Sequence, residues 1–257
     1  MTDETADSGI PLIDLGCPGA GTSGLTNDRS ARVKRGLFAA AIAGIIVSSS
    51  VAYSAAPPDS WDGLVKVKSK RLDLAYLQPG ADFRGYTKVM LDPTEVAFQK
   101  NWQRDYNSSS RDLSSRVSDR DVQQALVKGV AASNEIFAQA WSSGGYQVVT
   151  EPGPDVLRIK TGVVNITVNA PDVRTSGRGV TLAPEAGHAT FFIEARDSLT
   201  GALLGRAVDQ RYAGDYGGGN WRTSASNRGD FRDLVTGWAR DGVNGLNNLK
   251  ALSPIRP

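Results

Sequence analysis

The chain has 257 residues, with 29 Lys/Arg against 27 Asp/Glu, one histidine and one cysteine. A balance this close to neutral, without a long run of one sign, excludes a nucleic-acid surface built from a local basic cluster and excludes an acidic tail. A single cysteine excludes an intrachain disulfide, and one histidine beside one cysteine excludes the common His/Cys zinc sets.

Residues 1–28 carry Asp3, Glu4, Asp7, Asp14 and Asp28. They read either as a disordered leader or as a misassigned start, with translation beginning later, for example at Leu25 or Val33. Arg29, Arg32, Lys34 and Arg35 then lead into the uncharged run from Gly36 to Val47, and the small residues Ser48 to Ala56 follow. A basic region, an apolar run of this length and Ala52-Tyr53-Ser54 as a cleavage site predict a signal peptide over 29–54. A membrane span needs about 20 apolar residues. Three serines follow Val47, so the alternative, an uncleaved anchor through residues 36–53, is the weaker one on length. In either case the basic residues stay inside and the C-terminal bulk is exported, to the periplasm or cell envelope. Cys17 precedes the apolar run, where a bacterial lipoprotein carries its lipidated cysteine after it. Beyond residue 54 there remain 25 basic and 22 acidic groups and no cysteine, so stability has to come from an ordinary core.

Residues 55–60 form a proline-containing linker, and 61–253 read as a single α+β domain. Pro79-Gly80 marks a turn that delivers the chain into a strand. Residues 86–99 alternate as β structure, but Pro93 has no N–H for a ladder, which predicts an edge or a bulge near Asp92. After the polar stretch from Asn107 to Asp112, apolar residues from Val122 to Trp141 recur at helical spacing and predict a helix over 119–141. Gly144-Gly145 supplies its left-handed cap, and Tyr146–Thr150 resumes as a strand. In the run from Asp155 to Ala170, Leu157, Ile159, Thr161 and Val163 share one phase and Val164, Ile166 and Val168 the other. A one-residue bulge at Gly162 would reconcile them. Residues 171–188 form a loop. A hairpin then joins 189–197 to 202–212 through Ser198-Leu199-Thr200-Gly201, and a second amphipathic helix spans about 229–252. The expected fold is α+β, a mostly antiparallel sheet of about four to five strands covered on one face by two amphipathic helices.

Trp61-Asp62-Gly63-Leu64, followed by Tyr76-x-x-Pro79-Gly80-Ala81-Asp82-Phe83-x-x-Tyr86 and then Asp92-Pro93, resembles the bacterial group called domain of unknown function 3313. So do Gly145-Tyr146, Pro154-Asp155-Val156-Leu157-Arg158 and Asp197-Ser198-x-Thr200-Gly201. The resemblance covers about residues 60–250 and implies an exported, often lipidated protein without established activity, so it carries over no catalytic residue. Its motif positions here are Trp61, Gly63, Pro79, Gly80, Asp82, Phe83, Tyr86, Asp92 and Pro93. No cysteine follows the apolar run, which departs from the group's lipoprotein form. The element order also resembles small α+β domains of periplasmic assembly proteins, an analogy of fold alone.

The chemistry-bearing residues are few. His188 reads as a loop or strand-edge histidine, and no Gly-x-Ser-x-Gly elbow accompanies it. Asp82, Asp92, Glu95, Asp209 and Asp215 are the acids from which a glycosidase pair would have to come. The loop from Tyr212 to Trp221 combines Tyr212, Asp215, Tyr216 and Trp221 with three glycines, which makes it the candidate contact for a protein or glycan partner; its alternative is a plain connector. The sequence therefore predicts a non-enzymatic exported envelope protein that binds protein or glycan, without cofactor, metal or nucleic acid. The alternatives are a carboxylate-based hydrolase of envelope glycans and a structural subunit of an envelope assembly.

Overall fold

In the computed structural model, residues 56–110, 113–169, 181–183, 185–214, 220–222 and 224–256 are described. The expected leader, signal segment and anchor lie outside them. Among the described residues no helix is long and apolar enough to cross a membrane. The chain divides between Pro57 and Pro58, and the fold below belongs to the second unit.

The first hairpin, β1 (Ser60–Trp61) and β2 (Leu64–Val67), turns on Asp62 (φ 52°) and Gly63 (φ 79°). Two positive φ values in a two-residue loop match the right-handed twist of the flanking strands, which is why Asp-Gly stands there. β3 (Leu74–Leu77), β4 (Lys88–Leu91) and β5 (Glu95–Phe98) follow, then α1 (Trp102–Ser109), a short 3-10 turn (Leu113–Ser115) and α2 (Asp119–Ser143). β6 (Gln147–Val149), β7 (Val156–Val168), β8 (Thr181–Ala183), β9 (Gly187–Asp197), β10 (Leu203–Ala213), β11 (Asn220–Arg222) and α3 (Ser224–Leu252) complete the order. Nine strands form one mixed sheet in the order β1-β2-β3-β10-β9-β7-β4-β6, with β5 also on β7; β8 and β11 form a separate ribbon.

The α+β class is as expected, but the sheet is larger than four to five strands and less antiparallel, and among the described residues there are three helices. Residues 86–99 make two strands, and both run parallel to β7, as does β6 to β4. The cause is the helical crossover: α1 and α2 lie between β5 and β6, and such a return brings the chain back in the same direction. Pro93 lies neither at an edge nor in a bulge. It occupies the break between β4 and β5, so its missing N–H takes nothing from a ladder. α3 starts at Ser224, five residues before the expected point.

The bulge in β7 is real but misplaced by the sequence. The register shifts between Val164 and Thr167, around Asn165 (φ 51°). Gly162 serves another purpose, because a Cβ there would collide with the Phe192 ring on its cross-strand partner. The glycine makes room for an aromatic lying over it.

α2 starts with a capping box in which Ser118 Oγ accepts from Asp121 N–H and the Asp121 carboxylate accepts from Ser118 N–H at 2.9 Å. It ends with Tyr146 N–H donating to the Trp141 carbonyl (3.1 Å) around Gly145 at φ 88°. Both long helices cover the face that carries Val163, Phe191 and Asp209. Phe137 of α2 stacks on Phe191 at 5.8 Å, and Phe191 stacks on Trp238 of α3 at 5.2 Å. These rings are the centre of the core, with Trp141, Leu157, Ile159, Val235 and Leu246 around them. The register places Arg158, Lys160, Phe192, Glu194, Arg196 and Arg206 on the opposite face.

Candidate functional site

The open face is organised by charge. Arg158 faces Arg196 directly across the β7/β9 ladder, a pairing that repels unless each guanidinium has its own acid. Arg158 Nε donates to both Asp92 oxygens at 2.9 and 3.0 Å, and Arg196 pairs with Glu194 at 2.9 Å. Glu194, 3% exposed, also holds Arg206 at 2.7 Å, and Arg206 reaches on to Asp62 at 2.7 Å. The Arg206 guanidinium lies 4.2 Å from the Trp61 ring centroid, and Trp61 meets Tyr76 edge-on at 5.7 Å. Lys160 pairs with Glu95 at 2.8 Å.

This row accounts for two of the acids from which a glycosidase pair would have to come, Asp92 and Glu95. Asp82 is bound by its neighbour Arg84, whose side chain and backbone N–H hold its carboxyl down at about 2. Asp209 accepts from Trp238 Nε1 (2.7 Å) and Asp73 N–H (3.0 Å) and pairs with Arg211 at 2.6 Å. Burial nonetheless pushes its pKa above the ordinary aspartate range. Arg211 continues to Asp241 (2.9 Å), which Arg71 holds from the other side at 3.0 Å. Each of these four carboxylates thus has a cationic partner of its own, Asp92 and Glu95 in the row on the open face and Asp82 and Asp209 elsewhere. Asp215 lies outside the described residues. Among the described residues no group of three or more His, Cys, Asp or Glu could hold a metal.

Trp61 and Gly63 belong to the hairpin that caps Arg206. Gly80 (φ 81°) donates its N–H to the Ile255 carbonyl (2.8 Å), Ile255 N–H returns to the Ala81 carbonyl (2.8 Å), and Phe83 N–H donates to Ser253 Oγ (2.9 Å). The Pro79-Gly80 turn is therefore the dock for the C-terminal tail. Tyr86 donates its hydroxyl to Asp197 at 2.9 Å; burial first, then that bond, pushes its pKa up to about 12. Asp197 also caps its own turn, accepting from Leu199 and Thr200, and it is held below the ordinary carboxylate range chiefly by Thr200.

Of the loop residues, Asp215 and Tyr216 lie outside the described residues, and of Trp221 the backbone alone is placed, opposite Leu182 in the β8/β11 ribbon. Tyr212 is 50% exposed. Its cross-strand partner is His188, and the two rings meet edge-on at 5.7 Å. His188 Nδ1 shares a 2.8 Å hydrogen bond with Thr167 Oγ1, which also accepts from His188 N–H at 3.2 Å. Burial pushes the imidazole pKa below 6.5, with Glu185 opposing, so the ring is neutral at pH 7. Thr190 and Gln210 form the next pair along the same face. An exposed aromatic, an imidazole and two polar side chains thus share one end of the open face. That end is where the loops bearing β8 and β11 leave the sheet. His188 was missed as Tyr212's neighbour, because counting both strands back from the Ser198–Gly201 turn puts it opposite Arg211, and the register shift between Leu203 and Gly205 moves it to Tyr212.

The family model described as "Protein of unknown function (DUF3313)" matches residues 52–242. The chain belongs to the DUF3313 family. No curated protein matches it. Solved structures similar to this DUF3313 chain include the PelC dodecamer from Paraburkholderia phytofirmans, at 11% identity and TM-score 0.34 over 67% of this chain and 95% of that one. A DUF330 protein from Xanthomonas campestris matches at 9% identity and TM-score 0.35, covering 68% and 91%. A DUF4136 protein from Bacteroides thetaiotaomicron matches at 11% identity and TM-score 0.28, covering 74% and 98%.

Proposed function

We propose that this DUF3313 protein is an exported protein of the bacterial cell envelope that works by binding a protein or glycan partner and not by catalysis. The basic residues and apolar run before residue 54 support export to the periplasm. The observation that favours binding over hydrolysis is the charge arrangement. Asp82, Asp92, Glu95 and Asp209 are each engaged by an arginine or lysine of its own, whereas a glycosidase needs two carboxyl groups free to act as acid and as base or nucleophile across one cleft. The contact surface is the end of the open face with Tyr212, His188, Thr190 and Gln210, and the sequence that follows Tyr212 supplies Asp215, Tyr216 and Trp221 as further candidates. An exposed aromatic ring beside neutral hydrogen-bonding groups is a general recognition surface.

The test is capture from intact envelopes with a tagged full chain, comparing the natural protein with Tyr212→Ala. One partner retained by the first and lost by the second is the expected result. Hydrolysis of peptidoglycan or polysaccharide by the purified chain, abolished by Asp92→Asn or Asp215→Asn, would overturn the reading. N-terminal sequencing of the exported protein is expected to begin near Ala55; an intact basic cluster would show a retained anchor.

A further inference from the structure

On the helix side of the sheet, away from Tyr212, α2 and α3 part to leave a groove of about 630 Å³. Gln139 and Ser143 line it from α2, and Arg232, Thr236, Arg240 and Asn244 from α3. Gly144 and Val243 also line it, and the two helices approach closely there, since a Cβ on Gly144 would run into Val243. Arg232, Thr236 and Arg240 follow at four-residue intervals and share one face of α3.

The groove carries positive charge that no carboxylate in its lining opposes. Arg71, Arg84, Arg158, Arg196, Arg206 and Arg211 each have a carboxylate. Arg232 and Arg240 pair with none among the described residues, both are exposed, and the groove's lining contains no Asp or Glu. Their Cα atoms stand about 12 Å apart along the helix, at 1.5 Å per residue. A ligand that engages both in extended form has to present anionic groups at intervals.

We propose that the groove binds an acidic glycan, a sugar chain bearing carboxylates. Arginine forks pair with carboxylates in two-point geometry, and Gln139, Ser143, Thr236 and Asn244 offer donors and acceptors suited to ring hydroxyls. The apolar floor of Ile136, Ala140 and Val243 meets the C–H faces of sugar rings. A membrane surface is a poorer fit, since lipid recognition uses clusters of about four to eight basic residues. An acidic peptide is poorer too, since acidic motifs are read by clusters of arginines and here the two stand about 12 Å apart.

The experiment is titration of the purified full chain with polygalacturonate, with neutral dextran, polyglutamate and phosphatidylglycerol vesicles as comparisons. Saturable binding of polygalacturonate is expected, weakened at least tenfold in Arg232→Gln/Arg240→Gln. Gln139→Glu, which places a carboxylate in the groove, is expected to weaken it as well. Arg104→Gln on α1, where the arginine pairs with Asp105, is expected to leave it unchanged, and every variant keeps Tyr212, so a failure here stays distinct from a failure at the Tyr212 surface. No saturable binding, equal binding by the double variant with its circular dichroism intact, or tighter binding to polyglutamate or vesicles would overturn the proposal.

Discussion

At Gly187 the backbone sits at φ 152°, and a Cβ would collide with the Thr167 carbonyl across the ladder. Gly187→Ala therefore strains the backbone and pushes β9 off β7 together. Loss of at least about 3 kcal/mol is expected, at the upper end for point substitutions, read as a lowered urea midpoint. Glu194 is the residue whose removal should be felt most on the open face. Without it the buried Arg206 keeps Asp62 as its sole acid, and breaking such a pair costs about 3–5 kcal/mol; Glu194→Ala is expected near the lower figure by urea titration. His188 gives a pH signature. Its folded pKa lies below 6.5, so the fold binds fewer protons there than the unfolded chain. The histidine's contribution is complete above the unfolded value and is lost as pH falls through the folded one. His188→Gln is expected to flatten the decline in urea midpoint from pH 7.5 to pH 5.

Among the elements, α2, α3 and the β9/β10 hairpin were legible because each carries a local signal: 3.6-residue periodicity for the helices, alternation around a turn for the hairpin. β1 to β5 were harder. Each has at most four residues, too few to express a period, and β3 is a strand through its pairing with β10 far along the chain. α1 was hidden among the serines and asparagines from Asn107 onward, which favour turns as much as helix; it is fixed by Trp102, whose ring stacks on Phe98 at 4.5 Å. Parallel pairing could not be read from β4 or β5 themselves, since direction is set by the helices between them and β6. At the candidate surface, Tyr212 was legible as an exposed aromatic by a glycine-rich loop, whereas His188 needed the register. Ser118→Ala tests the element that was read most directly. It removes one half of the α2 capping box, and a loss of about 1 kcal/mol is expected, measured as a shift in the urea midpoint.

The whole unit is closed by its ends. Phe83 and Ser253, 170 residues apart in sequence, share a hydrogen bond, and Ile255 is buried in the core with both of its backbone groups bonded to the Gly80–Ala81 turn. Deleting residues 253–257 therefore removes the buried Ile255 side chain and the Ser253 hydroxyl that serves Phe83 N–H and the Leu249 carbonyl, and leaves the turn's groups unpartnered. The truncated full chain is expected to lose more than about 3 kcal/mol, seen as a urea transition shifted well below the natural one while Arg256→Ala leaves it in place.

The pairing of β3 with β10 has a further consequence for how the molecule is made. Asp73 N–H waits for the Asp209 carboxylate, 136 residues downstream, so β1, β2 and β3 have one another but the free edge of β3 has no partner until about four-fifths of the polypeptide has been synthesised. Contacts of such long sequence separation form slowly. The joint between the N-terminal strands and the rest of the sheet is therefore among the last to close, and it cannot close before β10 is available.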